Sequence, residues 1–97
     1  MQTIIFHHKV KEEVKESYNW YCSHSYALGE EFLKELDTAF ELISDKPKMW
    51  PVISKSFRRY LLKRFPFGII YSLENANVYI VAVMHLSRNP GYWKKRK

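Results

Sequence analysis

The chain has 97 residues, 46% hydrophobic and 16% aromatic, with three glycines and four prolines, a composition that gives one compact domain and excludes a second domain or an extended disordered chain. Its formal charge of +6 comes from one end: residues 55–97 hold ten Lys and Arg (Lys55, Arg58, Arg59, Lys63, Arg64, Arg88, Lys94, Lys95, Arg96 and Lys97) against Glu74 alone, whereas residues 1–54 hold six lysines against nine acids. A surface of one sign attracts a polyanion.

The N-terminus, MQTIIFHHKVKEE, lacks the basic start and apolar run of a signal peptide, and residues 2–6 are short, apolar and β-prone, so they read as a first strand. From Lys9 to Ser25 the positions Val10, Val14, Tyr18, Tyr21 and Ser25 recur at helical spacing while Lys11, Glu12, Lys15 and Glu16 point away, which predicts an amphipathic helix. Glu12 and Glu13 stand in its first turn, where carboxylates complement the helix dipole. Cys22 is the only cysteine, so an intrachain disulfide is impossible, cysteine-based zinc coordination lacks its other ligands, and a reducing, cytoplasmic setting is expected. With no activating partner in the sequence, Cys22 reads as buried filling.

The segment SHSYALG is read as the turn into a second helix over about 27–44, with Leu28, Phe32, Leu36, Ala39, Phe40 and Ile43 on one stripe. Pro47 and Pro51 stop it, leaving 45–56 as a connecting loop. Three strands are predicted next, at 57–65, 67–74 and 78–85, punctuated by Pro66 and by Asn75-Ala76-Asn77. Their short connections require antiparallel pairing. The longest purely apolar stretch, Tyr79 to Met84, is too short to cross a bilayer. Alternation in the strand at 57–65 puts Arg58, Tyr60, Leu62 and Arg64 on one face and Phe57, Arg59, Leu61, Lys63 and Phe65 on the other. Which face carries the functional groove, and so Arg58 or Arg59, stays open at this level. The helices are expected to cover one face of the sheet, with the cations of that strand and of the C-terminal segment converging on the other.

The order β-α-α-β-β-β, the basic strand, the string Arg64-Phe-Pro-Phe-Gly-Ile-Ile-Tyr71 and the ending His85-x-x-Arg88-x-Pro90-x-Tyr92-Trp93 together resemble the RelE/ParE toxin superfamily, its ParE-like, plasmid-stabilisation branch in particular, over the whole chain. The resemblance implies an α+β fold in which an N-terminal helical hairpin packs on one face of a mainly antiparallel sheet. It gives a single domain over 1–97, divided into strand and hairpin (1–45), antiparallel meander (57–85) and basic C-terminal segment (86–97). It further implies the toxin half of a type II toxin-antitoxin module, without cofactor or membrane association. The partner would be a cognate antitoxin with an acidic, partly disordered segment, fitted to a groove or a sheet edge. Growth would be arrested by poisoning DNA gyrase, slightly favoured, as ParE-like members do, or by ribosome-dependent cleavage of messenger RNA, as RelE-like members do. A non-toxic nucleic-acid-binding module is a third alternative.

Metal-free RNA cleavage needs a base for the ribose 2′-OH, an acid for the leaving oxygen and fixed cations for the phosphoryl charge. For a nuclease, the candidates are His85 as base or acid, Tyr92 as a secondary acid, and Arg88 with the other cations as the clamp. For target binding the candidates are Arg58, Arg59, Lys63, Arg64, Arg88, Trp93, Lys94, Lys95 and Arg96. Tyr18, Trp20 and Tyr21 are assigned to packing. His7 and His8, adjacent on a strand, are expected to point to opposite faces and to hold no metal, even with His24 in the chain.

Overall fold

The structure is a computed structural model that describes residues 2–96. Strand β1 (Thr3–Phe6) leads into helices α1 (Val10–His24) and α2 (Tyr26–Asp45), and these into strands β2 (Val52–Ser54), β3 (Phe57–Leu61), β4 (Phe67–Glu74) and β5 (Asn77–His85). The sheet order is β1-β5-β4-β3-β2. β1 runs parallel to β5, the chain between them passing through the helical hairpin and then β2, β3 and β4, while the other neighbours pair antiparallel, so the expected α+β architecture is present with one strand more.

The helices follow their apolar spacing. Val10 and Tyr21 of α1 and Phe32, Leu36, Ala39 and Ile43 of α2 are buried on one face of the sheet with Tyr60, Phe67, Ile69, Tyr71, Val78, Ile80 and Val83. The turn between the helices is far shorter than SHSYALG suggests, because Ser25 ends one helix and starts the next. Its backbone is extended (φ −164°, ψ 127°), its N–H donates to Tyr21 O, and its carbonyl accepts from Leu28 and Gly29 N–H. The helices can pass this closely only because residue 29 is glycine. A Cβ there would overlap Cys22 Sγ and stand 3.3 Å from both Cys22 N and Tyr18 Cε1.

Two expected strand boundaries shift. The 45–56 loop contains β2, which extends the sheet through Val52↔Arg58 and Ser54↔Phe57. The basic strand ends at Leu61 rather than 65, since Leu62 and Phe65 turn inward to the hairpin-side core, and Leu62 N–H donates to Phe67 O across the turn. At the β4–β5 turn Asn75 takes φ 57°, a left-handed conformation that Asn tolerates.

A second apolar cluster occupies the opposite, outer face of the sheet: Phe57, Ile70, Val81, Ala82 and Met84, with Trp93 of the C-terminal segment packed on them. That face is therefore partly covered rather than open. β5 reaches both clusters through a bulge. Tyr71 pairs with Ile80 but the adjacent Ile70 pairs with Ala82, leaving Val81 as the extra residue. Beyond it the alternation is reversed, so Val83 joins the hairpin-side core while Ala82 and Met84 face outward.

Candidate functional site

The bulge decides where His85 points. His85 pairs with Phe67, a hairpin-side residue, and its ring meets the Phe67 ring edge-on at 5.1 Å. It thus lines a pocket of about 550 Å³ with Glu16, Ser17, Trp20 and Tyr21 of α1 and with Pro66, Phe67 and Ser87. Trp20, on α1, is 59% exposed at this mouth and its ring lies 4.3 Å from that of His24 at a tilt of 38°, so it is not part of the core. Nδ1 of His85 accepts from Ser87 N–H at 3.0 Å and lies 2.7 Å from Ser87 Oγ; a nitrogen accepting from a backbone amide keeps its lone pair, which leaves the ring proton on Nε2.

The cations of the basic strand separate as the face pattern requires. Arg58 lies on the hairpin side and is consumed locally, Nη1 donating to Trp50 O at 2.6 Å and Lys48 O at 3.2 Å, which staples the loop before β2. Arg59 lies on the outer face. Its stem covers Gly68, where a Cβ would come 3.3 Å from Arg59 Cδ. Of the five arginines among the described residues, only the Arg59 guanidinium has neither hydrogen bond nor ion pair. Lys63 and Arg64 sit in the β3–β4 turn, whose amides donate to the Glu35 carboxylate. Arg64 also pairs with Glu31 at 2.8 Å, an exposed pair worth at most about 1 kcal/mol.

The C-terminal segment converges on a residue that the sequence pattern assigned only to the helix dipole. Glu13, with a side chain 10% exposed, receives Tyr92 OH at 2.7 Å and Val83 N–H at 3.0 Å. Arg96 Nη1 lies 2.9 Å and Arg88 Nη1 3.7 Å from Glu13 Oε2. The two guanidinium carbons also stand 3.9 Å (Arg88) and 4.8 Å (Arg96) from the centroid of the Tyr92 ring, a cation–π arrangement. Burial, then the bond to Glu13, pushes the Tyr92 phenol well above its ordinary range, so it stays a donor to that carboxylate. Trp93 is 3% exposed and meets Phe57 edge-on. Lys94 and Lys95 are exposed, Lys94 lying along Gly91, which takes φ 86°. Lys97 lies outside the described residues.

Arg88, Tyr92 and Arg96 are therefore brought together, but on Glu13. His85 lies on the hairpin side, Arg59 on the outer face, and Lys63 and Arg64 at the β3–β4 turn. His7 and His8 do not diverge, because both lie past the end of β1, and their rings stack at 4.3 Å. His7 Nδ1 accepts from Lys9 N–H. Among the described residues no group of three or more His, Cys, Asp or Glu is arranged to hold a metal ion, and no helix is long and apolar enough to cross a membrane.

Comparison with known proteins adds the family. The profile described as "ParE toxin of type II toxin-antitoxin system, parDE" matches residues 4–90. Among solved structures, a chain of the "Chromosomal ParDE TA system from P. aeruginosa" superposes with a TM-score of 0.67 at 16% identity, covering 90% of this chain and 98% of that one; at that identity the likeness is one of fold. No curated protein matches the sequence.

Proposed function

Because the chain belongs to the ParE toxin family of type II toxin-antitoxin systems, with an antitoxin as its partner, we propose that it arrests growth as a protein ligand of its target, DNA gyrase, rather than by cutting RNA. One observation carries the choice: the hydroxyl and two of the guanidinium groups that RNA cleavage would need are committed to one carboxylate. Strand scission requires base, acid and cations within hydrogen-bond reach of one phosphodiester. Here Tyr92 OH is committed to Glu13, Arg88 and Arg96 are paired with the same carboxylate, and His85 opens into the α1-side pocket. What remains for a partner is the Arg59 guanidinium on the outer face, the exposed Lys94 and Lys95 of the tail, and Arg88, 53% exposed. Lys63 and Arg64 form a second basic point at the β3–β4 turn. Trp93 acts from beneath as the apolar anchor. An acidic antitoxin segment would neutralise the same cations.

The test is induction of the chain without antitoxin, followed by supercoiling by purified gyrase and mapping of messenger RNA ends in translating extracts. The expected result is growth arrest with inhibited supercoiling and intact transcripts, and Tyr92→Phe retaining arrest. The RelE-type alternative requires cleaved transcripts and a loss of cleavage rate on the order of 100-fold or more for Tyr92→Phe or His85→Gln in folded protein. A normal culture, with only salt-sensitive nucleic-acid binding, would overturn both toxin mechanisms in favour of a binding module.

A further inference from the structure

The described part of the C-terminal segment, residues 86–96, contains neither helix nor strand. Its backbone bonds are mostly local turns: Arg88 N–H to His85 O, Lys94 N–H to Gly91 O and Arg96 N–H to Trp93 O, with Leu86 N–H to Pro66 O the one that reaches the body of the protein. Its path is therefore set by side chains. Trp93 supplies adhesion to the outer face, but apolar contact has little directionality, and its indole N–H finds no hydrogen-bond partner among the described residues. Direction comes from the other anchor. Arg88, Tyr92 and Arg96 reach one carboxylate from three points along the segment.

That carboxylate is itself fixed by the bulge in β5. The pairing of β1 with β5 ends at Phe6↔Ile80, so on that edge β5 continues beyond its neighbour, and the bulge at Val81 lies at this point. Two backbone groups of the bulged stretch are taken by the tail assembly: Val83 N–H donates to Glu13 Oε1 and Val81 O accepts from Arg96 Nη1 at 3.2 Å. Each member needs the others. Glu13, removed from water, needs donors, and Arg96, 12% exposed, needs an anion.

We propose that Glu13 is the positioning residue of the target-binding tail: through Arg96, Arg88 and Tyr92 it fixes the course of residues 86–96 over the β5 bulge, and so the placement of the exposed Lys94 and Lys95. The part that concerns target binding rests on the function proposed above. Glu13→Gln is the decisive variant, because an amide of the same shape still accepts from Val83 N–H through Oε1 but puts an NH2 where Oε2 accepted from Tyr92 OH, and no longer neutralises two guanidinium groups.

Two measurements separate positioning from stability. Limited trypsin digestion of the folded protein reads the tail directly, at Arg88, Lys94 and Lys95, without reference to any target. Growth arrest on induction reads function whatever the target is. Glu13→Gln is expected to keep the far-UV spectrum and cooperative melt of the wild type, to be cleaved at those tail sites at least 10-fold faster with unchanged cleavage elsewhere, and to arrest growth at least 10-fold less potently. Glu13→Asp, which restores the charge on a shorter arm, is expected to recover part of both. Should Glu13→Gln fail to fold, Arg96→Gln removes the opposite member of the pair and is read in the same way. Unchanged tail protection overturns the proposal, and so does a freed tail with full growth arrest. Wild type that arrests growth while sparing gyrase overturns only the choice of target; wild type that does not arrest at all overturns the toxin mechanism and leaves tail protection to decide the role of Glu13.

Discussion

Substitution of Gly29 by alanine should change the sign of its effect on stability when Cys22 is also changed. On an ordinary helix the replacement stabilises by about 1 kcal/mol, because alanine loses less backbone entropy. Here the new methyl would overlap Cys22 Sγ, whereas Cys22 N and Tyr18 Cε1, each 3.3 Å away, are tight contacts that a small shift relieves. Overpacking of this kind costs about 1–3 kcal/mol. With about 2 kcal/mol opposing the 1 kcal/mol gain, Gly29→Ala should destabilise by about 1 kcal/mol, lowering the melting temperature by roughly 5 °C in a domain of this size. In a Cys22→Ala background the overlap is gone, and the same substitution should raise the melting temperature by a similar amount. Thermal melts of the four proteins form a double-mutant cycle with an expected coupling of about 2 kcal/mol. Gly29→Ala having the same sign and size in both backgrounds would refute the close helix crossing at Cys22.

Three further outcomes follow from the geometry. Burial, with the positive neighbours His8, Arg96 and Lys9 outweighing Glu13, lowers the pKa of His7 below 6.5; as pH falls below that value the unfolded chain takes up the proton first, so stability should decline with acidification until the folded value is reached. His7→Asn, which keeps an acceptor for Lys9 N–H, should reduce the difference in melting temperature between pH 7.5 and pH 5.5, and an unchanged difference would count against the assignment. Trp93→Ala should cost about 3 kcal/mol, the lower end for a buried aromatic, read from urea unfolding; a loss below about 1 kcal/mol would mean that the tail is not packed on the outer face. Arg59→Glu should leave the melting temperature within about 2 °C, since that guanidinium has no partner to lose, yet weaken binding to an acidic antitoxin at least 10-fold, whereas unchanged antitoxin binding would remove Arg59 from the interface.

The helical hairpin was legible because helix periodicity is local: Phe32, Leu36, Ala39 and Ile43 are buried at the spacing at which they occur. The alternation of β3 was equally legible, but choosing between Arg58 and Arg59 needed the packing of their neighbours, Tyr60 under the hairpin and Phe57 against Trp93. Three features were out of reach. β2 is three residues long with a register shift, too short for a pattern. The bulge at Val81 reverses the faces of everything after it and leaves no mark in an unbroken apolar run, so the side on which His85 stands cannot be read from alternation. Glu13 looked like an ordinary first-turn acid because its partners Val83 and Tyr92 are 70 and 79 residues away.

The parallel pairing of β1 with β5 joins the first strand among the described residues to the last. While the chain is being made, Thr3–Phe6 has no sheet to enter until Asn77–Ile80 exists, and Glu13 has no cations to hold until residues 88–96 follow. Contacts so distant in sequence form late. A chain that stops short of these residues therefore lacks the closed sheet edge and the fixed tail.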